Sequence, residues 1–332
     1  MKDTQYSPPY SISNKIVALI SDISELLGQV SVFKDMINKP HLRKVNRIKS
    51  VHSSLKIEAN SLSFEQVKDL IDGHLVIGDE KEILEVKNAY KAYEELPSLD
   101  PCSLADLKRV HKIMTQSLPC NPGKYRTGEE GVSSDGRCIF VAPLPQFVPS
   151  LMEQLFRWLK ESEGDVHPLV RAAVFHYEFV FIHPFKDGNG RMARLWCTAL
   201  LSRWKKVFEY IPLENQIEQF QQDYYEAIDK SNNAGNSTLF IEFMLEMIKK
   251  VLISIYEQAK KENSGASVYV KRMLLLMDYE TPYTSTEIMD MLGLKSKENL
   301  RKNYLDPALQ LGLLSMTIPE KPNSKNQRYI KK

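Results

Sequence analysis

Within nine residues, His183-Pro184-Phe185-Lys186-Asp187-Gly188-Asn189-Gly190-Arg191, the sequence sets a titratable base, a carboxylate, two glycines and an arginine together. Histidine is the side chain that accepts a proton near neutral pH. Asp187 is a hard oxygen ligand of the kind Mg²⁺ takes. Gly188 and Gly190 let the backbone turn sharply and approach a ligand closely. If a helix begins there, their amides form an anion-binding nest reinforced by the helix dipole. Arg191 and, one turn on, Arg194 add planar cationic forks for phosphate oxygens. A base, a metal ligand, an anion nest and cations are the parts of a phosphate-transfer site.

Such a loop needs elements that aim it. Leu169, Ala172, Ala173, His176, Phe179 and Val180 recur at helical spacing ahead of it. The expected unit is therefore helix, phosphate loop, helix. Gly188-x-Gly190-x-x-Ala193 formally matches a dinucleotide fingerprint, but that fingerprint requires a strand before it. No Walker A sequence occurs. Further helices are expected over about 12–28, 41–58, 64–73, 80–95, 104–117, 146–162, 167–182, 189–204, 215–231 and 237–261. Ser63 with Gln66 forms a capping-box pattern, and Ser103 with Asp106 a weaker one.

Residues 123–145 interrupt this pattern with Gly123, Gly128, Gly131, Gly136, Pro143 and Pro145, and with the β-prone piece Cys138-Ile139-Phe140-Val141. A hairpin inserted in a helical body is expected. Lys261 to Ala266 is a polar, glycine-containing linker. After it, helices are expected over 267–278, 284–292 and 297–312, then strands over Leu314–Pro319 and Gln327–Ile330. Gly293 supplies the turn of a helix-turn-helix, and the two strands form a wing, as in a winged helix. Residues 295–332 hold nine Lys and Arg against three Asp and Glu. That asymmetry fits phosphate contact, and so DNA; protein docking is the other use of such a domain.

The 332 residues are 43% hydrophobic and 26% charged, with a formal net charge of +2. This is the composition of a soluble globular protein without general affinity for polyanions. Cys102, Cys120, Cys138 and Cys197 form no C-x-x-C pair, as expected of reduced thiols in the cytoplasm. Asp22 and Glu25 interrupt the first apolar run, which predicts no secretory leader. Phe240 to Tyr256 carries Glu242, Glu246, Lys249 and Lys250, so no membrane span is expected.

The nine-residue run and its continuation resemble the Fic family signature, His-x-Phe-x-Asp/Glu-Gly-Asn-Gly-Arg-x-x-Arg. His183, Phe185, Asp187, Gly188, Asn189, Gly190, Arg191 and Arg194 match all of its specified positions. A second segment, Ser54-Leu55-Lys56-Ile57-Glu58-Ala59-Asn60, resembles the family's inhibitory motif, Ser/Thr-x-x-x-Glu-Gly/Asn, and departs from it at Ala59. The resemblance implies a mainly α fold: a Fic helical core with a β-hairpin flap, plus a C-terminal winged-helix domain. The domains would be 1–100 with an inhibitory helix at about 41–58, a catalytic core at 101–262, and the winged helix at 263–332.

The resemblance further implies a protein adenylyltransferase that moves AMP from ATP to a Ser, Thr or Tyr hydroxyl of a target protein. His183 would be the base and Asp187 the Mg²⁺ ligand. Gly188, Asn189, Gly190, Arg191 and Arg194 would hold phosphates. Pro184 and Phe185 would fix the loop, while Lys186 faces solvent. Tyr224 and Asn232 would line the adenine pocket. Val132, Ser133, Ser134 and Asp135 would form the flap edge that pairs with the target's backbone. Glu58, with Ser54, would engage Arg194 and take the place of the γ-phosphate. Self-modification and a homodimer are compatible with this picture. So are AMP removal, transfer of another nucleotide, and a DNA-binding regulator that modifies only itself.

Overall fold

The computed structural model describes residues 6–28, 40–134, 137–263, 266–278, 281–322 and 324–332. Two compact units divide the chain. The first comprises the described residues of Met1–Gly28 with Asn46–Leu252, and the second those of Gln29–Val45 with Ile253–Lys332.

The first half supplies α1 (Asn14–Gly28), α2 (Pro40–Ile57), α3 (Phe64–Asp72), α4 (Glu80–Glu94) and α5 (Leu104–Met114). Their starts follow local chemistry. Ser63 and Gln66 make the reciprocal capping box at α3. Ser103 caps α5 by accepting from the Asp106 amide, but the Asp106 carboxylate turns to the Asp100 amide instead of closing the box. Residues 46–100 share one unit with the core, so the N-terminal hundred residues do not form a separate domain.

Two strands, β1 (Gly131–Ser134) and β2 (Arg137–Val141), pair antiparallel as the expected hairpin, with a register shift between Val132 and Ser133. Asp135, assigned to the flap edge, lies outside the described residues. Then come α6 (Val148–Glu161), α7 (Pro168–Ile182) and α8 (Asn189–Trp204). Both α7 and α8 are buried on nearly every side, as helices at the centre of a core must be. A helix, not a strand, thus precedes the glycine turn. The expected single helix over 215–231 is two: α9 (Leu213–Gln219) and α10 (Gln221–Ala234) meet at Phe220, whose φ of −116° and ψ of 37° break the helical run. The long α11 spans Thr238–Asn263.

The second unit contains α12 (Val268–Leu276), β3 (Pro282–Tyr283), α13 (Ser285–Leu292), α14 (Lys297–Leu300), a π turn over Arg301–Leu305, α15 (Asp306–Gln310), β4 (Leu314–Met316) and β5 (Tyr329–Lys331). The sheet order is β3-β5-β4, all antiparallel. α13 and α14 flank the turn at Gly293, and β4 pairs with β5. A third strand, β3, is too short to leave an alternation in the sequence. The wing strands are shorter than expected because the Gln327 side chain takes over the ladder: Nε2 donates to Ile318 O at 2.7 Å and Oε1 accepts from Ile318 N at 3.0 Å. The helix over 297–310 widens into the π turn beside Pro307, which has no amide to give to the preceding turn. Met273, Ile288, Leu300, Tyr304 and Ala308 form the centre of this unit's core.

Candidate active site

His183 caps the C-terminus of α7 in the left-handed region, at φ 50° and ψ 59°. A non-glycine residue holds that conformation only where its surroundings fix it. The fixing agent is Arg126. Its Nε donates to His183 O at 2.7 Å and its guanidinium also reaches the carbonyls of Gly128, Pro143 and Ile182. The Arg126 amide donates to Pro184 O at 2.9 Å. One buried arginine thus ties the loop around the hairpin to the signature turn. The His183 ring lines a cavity, while its buried Nδ1 has no partner close enough for a full hydrogen bond. Burial holds its pKa below the usual histidine value, with the nearby Val180 carbonyl opposing.

Phe185 is fully buried and Lys186 exposed, as expected of an anchor and a bystander. Asn189 has a different part from the expected one. Its Nδ2 donates to Phe185 O at 2.7 Å and its Oδ1 accepts from Phe185 N at 2.9 Å. Both ends of the amide are spent on the loop's own backbone, so the side chain fastens the turn rather than facing a phosphate. Gly188 sits at φ 82°, the left-handed position from which α8 starts.

The Asp187 Oδ1 accepts from Gly188 N and from Arg191 Nη2, both at 2.6 Å. Burial would raise this carboxyl's pKa, but Arg191 and the Gly188 amide outweigh it and hold the group below its usual range. Arg191 is buried, lies 3.7 Å from Glu85, and leaves its Nε and Nη1 without a hydrogen-bond partner.

Arg194, only 2% exposed, meets the end of α2. Its Nη2 donates to Glu58 Oε1 at 2.7 Å and to Ser54 O at 2.9 Å, and its Nε donates to Ser54 Oγ at 3.0 Å. Burial alone would lower the Arg194 pKa; Glu58 beside it reverses the direction and raises it. A Cβ placed on Gly190 would strike Glu58 Oε1. The carboxylate therefore rests on the first turn of α8, where a helix start favours an anion.

Glu58 is positioned by a helix stop. Asn60 N donates to Leu55 O at 3.1 Å and Ala59 N to Lys56 O at 3.0 Å, the paired bonds of a Schellman motif. Ala59 takes the left-handed position at φ 66°. Glycine or asparagine suits that position best, which gives the departure at Ala59 a physical meaning. The neighbouring helix α9 clamps α2 along its length: Ser50 Oγ donates to Glu214 at 2.6 Å, Asn215 Nδ2 to Ser53 Oγ at 3.3 Å, and Lys56 pairs with Glu218 at 2.9 Å.

A cavity of about 780 Å³ joins His183, Gly190, Arg194, Glu58, Tyr224 and Asn232. The Tyr224 hydroxyl lies 2.9 Å from His176 Nε2, a histidine whose pKa burial lowers to about 3. Asn232 Oδ1 accepts from Tyr177 OH at 2.8 Å. Both residues assigned to the adenine pocket thus stand on α10 along one wall of the cavity. Tyr225, on the same wall, was not expected.

Sequence reasoning also missed Arg126 and His111. His111 lies on α5 and packs against Phe185 with ring centroids 3.6 Å apart and 10° between planes. Its Nδ1 accepts from Gly123 N at 2.9 Å and its Nε2 faces Asp187 O at 2.9 Å. Burial lowers its pKa to about 4, so the ring is neutral. Its only signal in the sequence was a histidine on the apolar face of an amphipathic helix.

Fold and site together define a helical protein whose anion-holding turn faces a half-buried histidine and is covered by a carboxylate from a neighbouring helix. The sequence profile of the Fic/DOC family matches residues 101–201. That of the "Filamentation induced by cAMP protein Fic-like, C-terminal domain" matches residues 269–330. The crystal structure of a Fic family protein from Desulfovibrio desulfuricans G20 is 36% identical, covers 98% of each chain and superposes with a TM-score of 0.73. The chain belongs to the Fic family. Fic-1 (residues 134–508) from C. elegans shares the fold, with a TM-score of 0.59 over 75% of this chain and 73% of its own at 21% identity. Among curated relatives, Protein adenylyltransferase Fic of Nematostella vectensis is 27% identical over 211 residues, or 61% of this chain and 47% of its own. That of Aedes aegypti is 28% identical over 226 residues, 65% of this chain and 43% of its own. The chain spans less than half the length of these curated relatives. No helix among the described residues is long and apolar enough to cross a membrane.

Proposed function

We propose that this protein transfers AMP from ATP to a side-chain hydroxyl of a protein and that Glu58 restrains the reaction. One observation carries the reading: the Glu58 carboxylate already occupies an anion position on Gly190 and Arg194, within one cavity with His183. Removing that carboxylate opens a place for a phosphate of the nucleotide. The curated relatives carry the name protein adenylyltransferase, which supports the same chemistry.

His183, neutral because burial lowers its pKa, takes the proton of the target hydroxyl. The hydroxyl oxygen bonds to the α-phosphorus, the bond from that phosphorus to its bridging oxygen breaks, and pyrophosphate leaves. The amides of Asn189 and Gly190 hold phosphate oxygens, with Gly188 turning the chain toward them, and Arg191 and Arg194 neutralise departing charge. Tyr224 and Asn232 bracket the base. Asp187 contributes a single carboxylate, and no group of three His, Cys, Asp or Glu is available to a metal among the described residues. That suits Mg²⁺, which keeps waters and is carried largely by substrate phosphates. When bound there it would neutralise phosphate charge. The backbone of β1, including Val132, Ser133 and Ser134, would pair with the target chain.

The test is incubation with α-labelled ATP, comparing wild type with Glu58→Gly for labelling of itself and of added proteins. Higher labelling by the variant is expected, on the order of 5–150-fold as for typical coupling energies. Unchanged or lower labelling by a folded variant that binds ATP would sink the restraint and leave the transfer standing. AMP removal is the second reading, because the Glu58 side chain is 38% exposed and could orient a water. Release of AMP from labelled protein, lost in Glu58→Gly, would favour it.

For the second unit we propose contact with duplex DNA. Lys295, Lys297, Arg301 and Lys302 are exposed at the start of the second helix of the helix-turn-helix, and Lys321 and Lys325 on the wing. The full chain should bind DNA with a salt slope that falls by about 0.9 for each phosphate contact removed. No binding at low salt would assign this unit to protein docking.

A further inference from the structure

We propose that His111 is a positioning residue for the reaction: it fixes the backbone of Asp187 and so aims the Asp187 carboxylate at the nucleotide's metal. The inference rests on the reading of the site given above. His111 stands on α5, 76 positions before Asp187, which lies in the loop between α7 and α8, and its ring makes three contacts that hold this loop against the helix.

The proton positions follow from the partners. The Gly123 amide can only donate, so Nδ1 accepts. The proton therefore sits on Nε2, and it points at the Asp187 carbonyl, which can only accept. The ring face lies flat on Phe185, whose backbone N–H and C=O are both taken by Asn189. Next to it, a Cβ on Gly188 would come within 3.1 Å of Thr115 Cγ2 and 3.6 Å of His111 Nε2. Phe185 and Gly188 are thus pressed against α5 and its C-terminal end. With its backbone held by His111, Asp187 commits Oδ1 to Gly188 and Arg191 and leaves Oδ2 to a cation. A ligating carboxylate is aimed by what holds it, and such outer partners commonly matter about 10–100-fold for metal affinity.

An apolar ring could fill the same space, but it could not hold the two backbone groups. Two substitutions separate them. In His111→Gln, Nε2 stands in for the imidazole Nε2 and keeps the bond to Asp187. In His111→Asn, the shorter amide reaches the Gly123 amide but not Asp187. Each variant loses one hydrogen bond, so a merely structural role would affect both alike.

The experiment measures ATP binding by titration calorimetry, with and without Mg²⁺, in the full chain carrying Glu58→Gly so that the nucleotide enters. With His111 intact, Mg²⁺ should tighten ATP binding, and His111→Gln should keep most of that gain. His111→Asn should lose about tenfold of it, with metal-free ATP affinity unchanged. A full Mg²⁺ gain in His111→Asn, or an equal loss in both variants, overturns the proposal alone. No Mg²⁺ gain with His111 intact overturns it together with the metal role of Asp187, while labelled-AMP transfer still judges the reaction separately.

Discussion

The Glu58 carboxylate and the Arg194 guanidinium meet at 2.7 Å across 136 positions of sequence. Two further bonds to the same guanidinium come from Ser54, through its hydroxyl and its carbonyl. These three bonds all run from Arg194 to one helix end. Loss of Glu58 leaves Arg194 oriented but short of a counter-charge, which is the condition for accepting a phosphate.

From that arrangement, Ser54→Ala should raise labelled-AMP incorporation less than Glu58→Gly does, because the Ser54 carbonyl and the Glu58 pair both remain. Arg194→Ala should not raise it, since the substitution removes the partner of Glu58 and a phosphate ligand together. Incorporation measured at equal protein and Mg²⁺-ATP decides. Activation by Arg194→Ala would remove the guanidinium from the proposed phosphate contacts.

His183→Ala should lower transfer by about 10²–10⁴-fold, the usual loss with a general base, while ATP affinity stays within a fewfold. The pH profile carries a sign. Burial lowers the His183 pKa below its ordinary 6.5, so the free base is the majority form at that pH. The acid limb of the rate should therefore be centred below pH 6.5. A rate limb centred above pH 7 would assign the base to another group.

Ala59→Gly should stabilise the protein by about 1 kcal/mol, the usual penalty of a left-handed non-glycine residue, and raise the unfolding temperature by a few degrees. The Glu58–Arg194 pair is untouched, so AMP incorporation should not rise. A lower unfolding temperature would mean that the left-handed turn at 59 does not limit stability.

A proline at Ser133 should reduce modification of other proteins more than ATP binding. It deletes a backbone donor from β1, and strand addition relies on such donors. Measuring both activities side by side checks this, and equal losses would make the hairpin a purely structural element.

The signature turn was legible in the sequence because its parts lie within twelve residues and their spacing is itself the message. The same holds for the helix before it, whose periodicity excluded a dinucleotide fold. Ser54 and Glu58 were legible as four residues apart on one helix. Arg126 and His111 were not, because each acts on backbone carbonyls or amides, which carry no identity in sequence. Asn189 illustrates the converse. Its position in the motif suggested a phosphate contact, yet its amide matches the two backbone groups of Phe185 at the same time. The break at Phe220, the π turn beside Pro307 and the two-residue β3 escaped notice because each alters only one or two residues of an otherwise regular pattern.

Because Glu58 sits at the stop of α2, the site's idle state is governed by the fraying of one helical turn. Terminal turns open locally at far lower free energy than the whole fold, so the restraint has a built-in leak whose size is the fraction of time that turn is undone. Gln221 and Tyr225 of α10 oppose the leak by donating to Ile57 O at 3.1 and 3.5 Å. Tyr225 also lines the cavity. The latch and the berth for the nucleotide thus share a side chain, and a guest that moves it changes how long the door stays shut.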